Sequence, residues 1–393
     1  MRCRVAITGI GVVSNAGVGI ETFWNSLLDG VPEHGFHVKD FDALPYFDGN
    51  AKEARRSDRF AQFALAAAHE ATSQAGDFLD DPTSAGSWVG TGVGGLSTLE
   101  NQVGVFTEKG PRRVSPFLVP MMMANAASAS ISMKYGLQGP CETTVTACAA
   151  GTHSIGRAAE LIRNGKMKVM VTGGAEAAMT PVGSQGFINM TATSSAGISR
   201  PFDKERDGFL QSEGAGILVL EEWNYAESRG ATILAELLGS GSTADAHHIT
   251  APAPGGNGAV RCMKAAITDA GLLPSDIAHI NAHGTSTPLN DAAEAEAISE
   301  VFGESRPAVT GSKSVTGHSL GAAGAIEAVA VVLSILNKTI PPTHGTSAVD
   351  SEIKDLNLVI SEPLGWTPGP SLSNSFGFGG HNGTIVIGVG VDR

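Results

Sequence analysis

Like charges never gather in this sequence, cysteines never pair up, and no apolar run reaches membrane-spanning length. The formal net charge over 393 residues is −13, but it is thinly spread. Neither a basic nucleic-acid arm nor a solvated acidic tail is therefore expected. The four cysteines, Cys3, Cys141, Cys148 and Cys262, stand far apart with no C-x-x-C pair. That spacing argues against a disulfide framework or a structural zinc site and fits a reducing, cytoplasmic setting. The opening "MRCRVAITGIGVVSNAG" puts basic residues before an apolar run, but glycines break the run too early for an export signal. The longest later candidate, "GAAGAIEAVAVVLSIL", carries Glu327 and falls short of the roughly 20 apolar residues that a membrane span needs. It is expected to be a buried helix.

What is present is enough apolar material for a large core. Hydrophobic residues make up 42% and charged residues 17%, which fits one or two domains and excludes disorder. Short β-branched runs ("RVAITGIGVV", "SWVGTGV", "KVMVTGG", "GAGILVLEE", "DIAHINAHG", "LNLVISE") alternate with alanine-rich stretches such as "RFAQFALAAAHEATSQAG" and "AAEAEAISEVFG". The alternation predicts α/β layers. The 50 glycines are aperiodic and gather at the ends of predicted strands, where tight turns need them. Two segments, "TACAAGTHSIGRAAELIRNGK" and "SVTGHSLGAAGAIEAVAVVLSILNK", each run from a turn with one reactive side chain into a small-residue helix. They hint at a duplicated unit. A division after "EEWNYAESR" would give halves 1–229 and 230–393, with one such segment each.

Cys148, in "VTACAAGTHSIG", sits where a β-branched run gives way to a helix. A thiol at a helix start feels roughly half a positive charge and unpaired N–H groups, which lower its pKa and can bind an oxyanion. Free cysteine is also among the most buried residue types, so the local pattern leaves a core thiol and a nucleophile both open. A nucleophile needs proton-handling partners. His283 in "NAHGTSTPLND" and His318 in "GSKSVTGHSLGAAGAIE" lie at turns before predicted helices, and Lys313 and Glu327 could form a supporting ion pair. The glycine-dense "SNSFGFGGHNG", around Phe376 and Phe378, can present backbone N–H groups to an oxyanion.

Two further patterns carry less. Gly90–Gly95 reads G-x-G-x-x-G, but no acid follows at the ribose-binding distance. The pairs His247 with His248, and His279 with His283, lack a third ligand of convincing spacing, so no metal and no cofactor is assigned.

Taken together, "VTACAAGTHSIG", "RPFDKERDGF", "SEGAG", "ADAHHITAP", "NAHGTSTPLND", "GSKSVTGHSLGAAGAIE" and "NSFGFGGHNG" make the chain resemble the β-ketoacyl-[acyl-carrier-protein] synthases of the II type, over nearly its whole length. The resemblance implies the thiolase-like α/β fold, with duplicated halves in five layers (α-β-α-β-α). It implies Cys148 as acyl acceptor, His283 and His318 as the rest of a Cys-His-His triad, and Lys313 and Glu327 as its support. The N–H groups of Cys148 and Phe378 would form the oxyanion hole. Thr250 and Thr287 match positions that contact a pantetheine arm. Phe376, Phe378 and Val93 match the acyl pocket, and "PMMMANAASASISMKYG" matches a helix that closes the pocket from a dimer partner. Val93 is smaller than the Ile often found there, which implies acceptance of medium to long chains.

The implied reaction is decarboxylative condensation of malonyl-carrier protein with the acyl chain on Cys148. It would run in a homodimer that docks acyl carrier protein through Lys52, Arg55, Arg56, Arg112, Arg113, Lys204 and Arg206. Asp291 and Glu294 match an acidic pair without a fixed role. A fatty-acid pathway is expected; a polyketide or polyene pathway and a non-catalytic partner subunit are the alternatives. No cysteine follows Cys262, unlike in degradative thiolases, and His318 stands where type III synthases carry Asn. The stretch between Leu28 and Arg59 is shorter than in relatives, and "QSEGAG" carries Gln-Ser where Gly, or an acid with Gly, is frequent. Both departures are expected to touch the carrier-facing edge.

Overall fold

The computed structural model describes residues 2–30 and 36–390. Ten strands follow one hydrogen-bonded path: β1 (Val5–Ser14), β2 (Ala85–Gly90), β3 (Cys141–Glu142), β4 (Val169–Glu176), β5 (Gly214–Glu222), β6 (Ala235–Ala244), β7 (His279–Asn281), β8 (Ala308–Thr310), β9 (Ser371–Gly377) and β10 (His381–Gly388). Their order is β3-β2-β4-β5-β1-β6-β10-β9-β7-β8, with Gly17–Val18 pairing beside β1. Adding five to each strand number of the first half gives the second half, outward from the centre. The pairing directions repeat as well: β2 is parallel to β3 and β4, and β7 is parallel to β8 and β9. The halves meet at a narrow antiparallel seam, Ala6 opposite Glu236 and Ile7 opposite Ala235.

Helices fill the layers. On the outer face of the first half lie α1 (Arg59–Ala75) and α2 (Ala126–Tyr135). The side chain of Asp58 caps α1 by accepting from the Phe60 N–H at 3.2 Å. In the middle, α3 (Ala150–Arg163) and α6 (Ala323–Asn337) touch strands of both halves, and α4 (Asn257–Asp269) and α5 (Pro288–Phe302) cover the far side. The arrangement is the expected α-β-α-β-α stack. Three apolar clusters match the three helical layers, and the central one joins Leu218 and Leu220 of β5 to Ile155 and Ile162 of α3, Val329 and Leu333 of α6, and Ile385 and Ile387 of β10. The expected buried helix forms, but the length argument needs correcting: Leu320–Asn337, 18 residues, is long and apolar enough to cross a membrane, and it is the burial of 89% of it inside the protein that marks it as core.

One expected strand does not form. "LNLVISE" makes only a single bridge, Leu358 to Val309, because its neighbour β8 is three residues long and offers little edge. Of the short stretch between Leu28 and Arg59, residues 31–35 lie outside the described residues, and the remainder contributes two turns of helix, Leu44–Phe47 and Ala51–Ala54.

Candidate active site

The chain leaves β3 and turns abruptly into α3 through Ala147–Ala149, which form one tight helical turn. Ala147 pays for the turn with φ 49, a left-handed conformation that costs roughly 1–2 kcal/mol for a residue with a Cβ. The turn sets Cys148 in the wall of a cavity, buried, with the backbone N–H groups of Phe378 and of Cys148 itself directed at its sulfur. Gly377 lets the end of β9 come this close, since a Cβ there would stand 3.0 Å from the Cys148 nitrogen. The helix start was expected to depress the thiol pKa, and here the expectation needs correcting: burial pushes it up to about 11, against the opposing pull of Lys313 and the two N–H groups. The thiol therefore needs a base to take its proton.

Two imidazoles are at hand. His283 follows β7 and His318 precedes α6; the ring centroids lie 5.4 Å apart at 85°. Donor atoms of Cys148, His283 and His318 all fall within 4.8 Å of one another. Burial, and then the Lys313 charge, hold both histidines well below their ordinary pKa, so both are neutral at neutral pH. Lys313 Nζ donates to the His283 carbonyl at 2.6 Å, lies 3.1 Å from His283 Nδ1 and pairs with Glu327. Burial keeps the Glu327 carboxyl up at about 7 even so. An ammonium donating to Nδ1 fixes the tautomer, leaving the His283 proton on Nε2. By distance the three donor atoms could grip a soft metal ion, but the Lys313 ammonium beside His283 opposes a dication.

The surroundings assign residues that the sequence left without a role. Glu294 accepts from the His283 and Gly284 N–H groups, both at 2.8 Å, and so anchors the His283 loop. Asp291 accepts from Phe202 N at 2.8 Å. Phe209 packs edge-on against His318 at 5.1 Å. Gln211 bridges to His318 and donates to the Ala178 carbonyl, so "QSEGAG" lines the histidine's backing and not the carrier-facing edge. Sequence reading also missed Glu176, a lone acid ending the apolar "KVMVTGGAE"; its carboxylate takes the N–H groups of Gly92 and Val93. A phosphate at Gly90–Gly95 would need those same donors.

The cavity, about 450 Å3, is lined by Cys148, His283, His318, Phe376, Phe378, Val93, Thr250 and Thr287. That volume suits a medium-sized ligand. Lys313 and Glu327 stand behind it, fully buried. None of the proposed carrier-docking residues lines it. Lys52, Arg55, Arg112, Arg113 and Lys204 are exposed, whereas Arg56 lies over the Phe117 ring at 4.0 Å. Arg206 is turned inward, a second correction: it is buried, bonded to Asp350 at 2.6 Å and 3.9 Å from Asp291, and cannot meet a carrier.

Family models described as the N-terminal and C-terminal domains of beta-ketoacyl synthase match residues 2–226 and 234–347. A curated 3-oxoacyl-[acyl-carrier-protein] synthase 2 from Synechocystis sp. is 44% identical over 98% of this chain and 97% of its own. Among solved structures, a beta-ketoacyl synthase from Burkholderia phymatum superposes with a TM-score of 0.91 at 32% identity, covering 99% of this chain and all of its own. The ishigamide ketosynthase/chain length factor gives 0.90 at 34%, with full coverage of both chains.

Proposed function

The chain belongs to the β-ketoacyl synthase family, and from that premise we propose that it elongates acyl chains on acyl carrier protein by decarboxylative condensation, in fatty-acid synthesis. The observation that carries the reading is the meeting of Cys148, His283 and His318 in one cavity wall, with two N–H groups aimed at the sulfur.

In the first half-reaction a neutral histidine takes the Cys148 proton and the sulfur attacks the acyl-carrier thioester. The N–H groups of Cys148 and Phe378 hold the tetrahedral oxyanion. As it collapses, the pantetheine thiolate leaves with the proton, and the acyl group stays on Cys148. Malonyl-carrier protein then loses CO2. The enolate oxygen rests on N–H donors of His283 and His318, and its carbon attacks the acyl thioester; the Cys148 sulfur leaves as thiolate and takes one proton from solvent, which balances the loss of the malonyl carboxylate as CO2. Lys313 and Glu327 keep His283 in the donating tautomer. Thr250 and Thr287 contact the pantetheine arm, and Val93, Phe376 and Phe378 border the acyl chain.

Lys52, Arg55, Arg112, Arg113 and Lys204 offer an acidic carrier its docking charges, with Arg56 as a half-buried neighbour. Val103, Phe106 and Val119, each 55% exposed, with Met133 at 77%, support a homodimer that covers these side chains. The four free cysteines favour the cytoplasm. A division between Arg229 and Gly230, just before β6, separates the two copies of the sheet order. A polyketide pathway is the second reading, favoured by the likeness to the ishigamide ketosynthase/chain length factor.

The test is to incubate the purified chain alone with acyl-carrier protein, map the adduct by mass spectrometry, and add malonyl-carrier protein. An acyl group on Cys148 and a β-ketoacyl product support the reading, and absence of the adduct refutes it. A panel of carrier proteins separates the two pathways.

A further inference from the structure

Glu176 is an acid with no cation beside it. It ends β4, is 0% exposed, and pairs with no Lys or Arg among the described residues. Its carboxylate instead collects four donors: Thr91 Oγ1 at 3.0 Å, Gly92 N at 2.6 Å, Gly321 N at 3.1 Å and the Val93 N–H. These donors come from two separate loops. Thr91–Gly94 follows β2 and carries Val93 on the cavity wall; Ser319–Gly321 leads from His318 into α6 and carries Leu320, also on that wall. The loops are in backbone contact, for a Cβ on Gly321 would stand 2.1 Å from the Gly92 nitrogen. Leu320 is held at φ 46, a strained conformation that persists only where its surroundings enforce it. Burial lifts the Glu176 carboxyl to about 7, so keeping it here costs stability that neutral packing would spare.

We propose that Glu176 is a positioning residue that clamps the Val93 loop onto the Leu320 loop and thereby sets which acyl chain lengths Cys148 accepts. The inference rests on the functional reading above. An acetyl group presents the least apolar surface to the clamped wall; the Glu176 charge also raises the Cys148 pKa, but that effect is the same at every chain length. A longer chain must pass Val93 and Leu320, so a wall free to shift costs it most.

Glu176→Gln keeps the shape but replaces one acceptor oxygen with an NH2, leaving a single oxygen for four donors, which weakens the clamp. Thr91→Val, which deletes one donor, is the milder companion should Glu176→Gln fold poorly. The measurement is single-turnover acylation of Cys148 with acyl-carrier proteins from acetyl to dodecanoyl. In Glu176→Gln, transfer of chains of about eight carbons and beyond should fall about tenfold more than acetyl transfer, and in Thr91→Val by a smaller factor in the same order. Equal loss at every length, or an unchanged length profile in both variants, overturns the proposal. A wild-type chain that takes no acyl group at any length overturns the functional reading itself.

Discussion

Lys313→Met replaces the central cation of the site with an apolar side chain of similar length. The pair Lys313–Glu327 is 1% exposed on both sides, so its loss leaves a carboxyl with no counter-charge in the interior. Breaking such a pair costs about 3–5 kcal/mol. Part of that is recoverable, because the Glu327 carboxyl already stands at about 7 and rises further without Lys313. Protonated, it pays no charge penalty. The destabilisation should therefore be small at pH 6 and grow toward pH 8, as the folded state is forced to ionise a buried acid that the unfolded chain ionises freely. Lys313→Met/Glu327→Gln should remove that slope. Catalysis follows a different rule: without the ammonium at Nδ1, His283 loses the tautomer that donates from Nε2. One lost enolate donor is worth roughly 3 kcal/mol, on the order of a hundredfold in malonyl decarboxylation. Urea unfolding at the two pH values and CO2 release from malonyl-carrier protein read the two effects separately. Recovery of both stability and decarboxylation in the double variant, the latter to within about twofold of wild type, would refute the argument, since Lys313 would then be only an ion-pair partner.

Alkylation of Cys148 by iodoacetamide should go on accelerating through pH 9, since burial holds the thiol up at about 11; a plateau by pH 7 would show a depressed pKa instead. Val93→Phe should spare acetyl and butyryl transfer while suppressing chains of about eight carbons and beyond, because overfilling a wall excludes what must pass it. Uniform loss across the series would make Val93 a support of the fold. Arg112→Glu with Arg113→Glu should raise the KM for acyl-carrier protein, more at low salt than at high; an unchanged KM at low salt would move the docking surface elsewhere.

Local periodicity carried much of this fold. "GAGILVLEE" is strand β5 residue for residue, and "RFAQFALAAAHEATSQAG" is α1 up to its terminal glycine, because β-branched runs and an alanine-rich face report their own conformation. Cys148 was legible as a thiol at a helix start, but its pKa was not. That is set by burial, opposed by Lys313 and the Phe378 N–H, both more than a hundred residues away, and no local window contains them. Arg206 misled for the same reason: its run "DKERD" reads as surface charge, whereas Asp350 and Asp291, remote in sequence, draw it inside. Glu176 and Glu294 were invisible as anchors because backbone N–H groups, their partners, carry no sequence signature.

The shared middle layer bears on how the chain folds. Each half owns only one face of helices outright; the other face of its sheet rests on α3 and α6, which come one from each half. A fragment ending at Arg229 would keep α3 but lack α6, uncovering part of the apolar layer to which Leu218 and Leu220 belong, and the complementary fragment would expose the apolar α6 itself. The copies repeat in topology but are interdependent in energy, so the polypeptide should unfold in one cooperative transition with no half-folded species, and it should resist being divided into two separately expressed pieces.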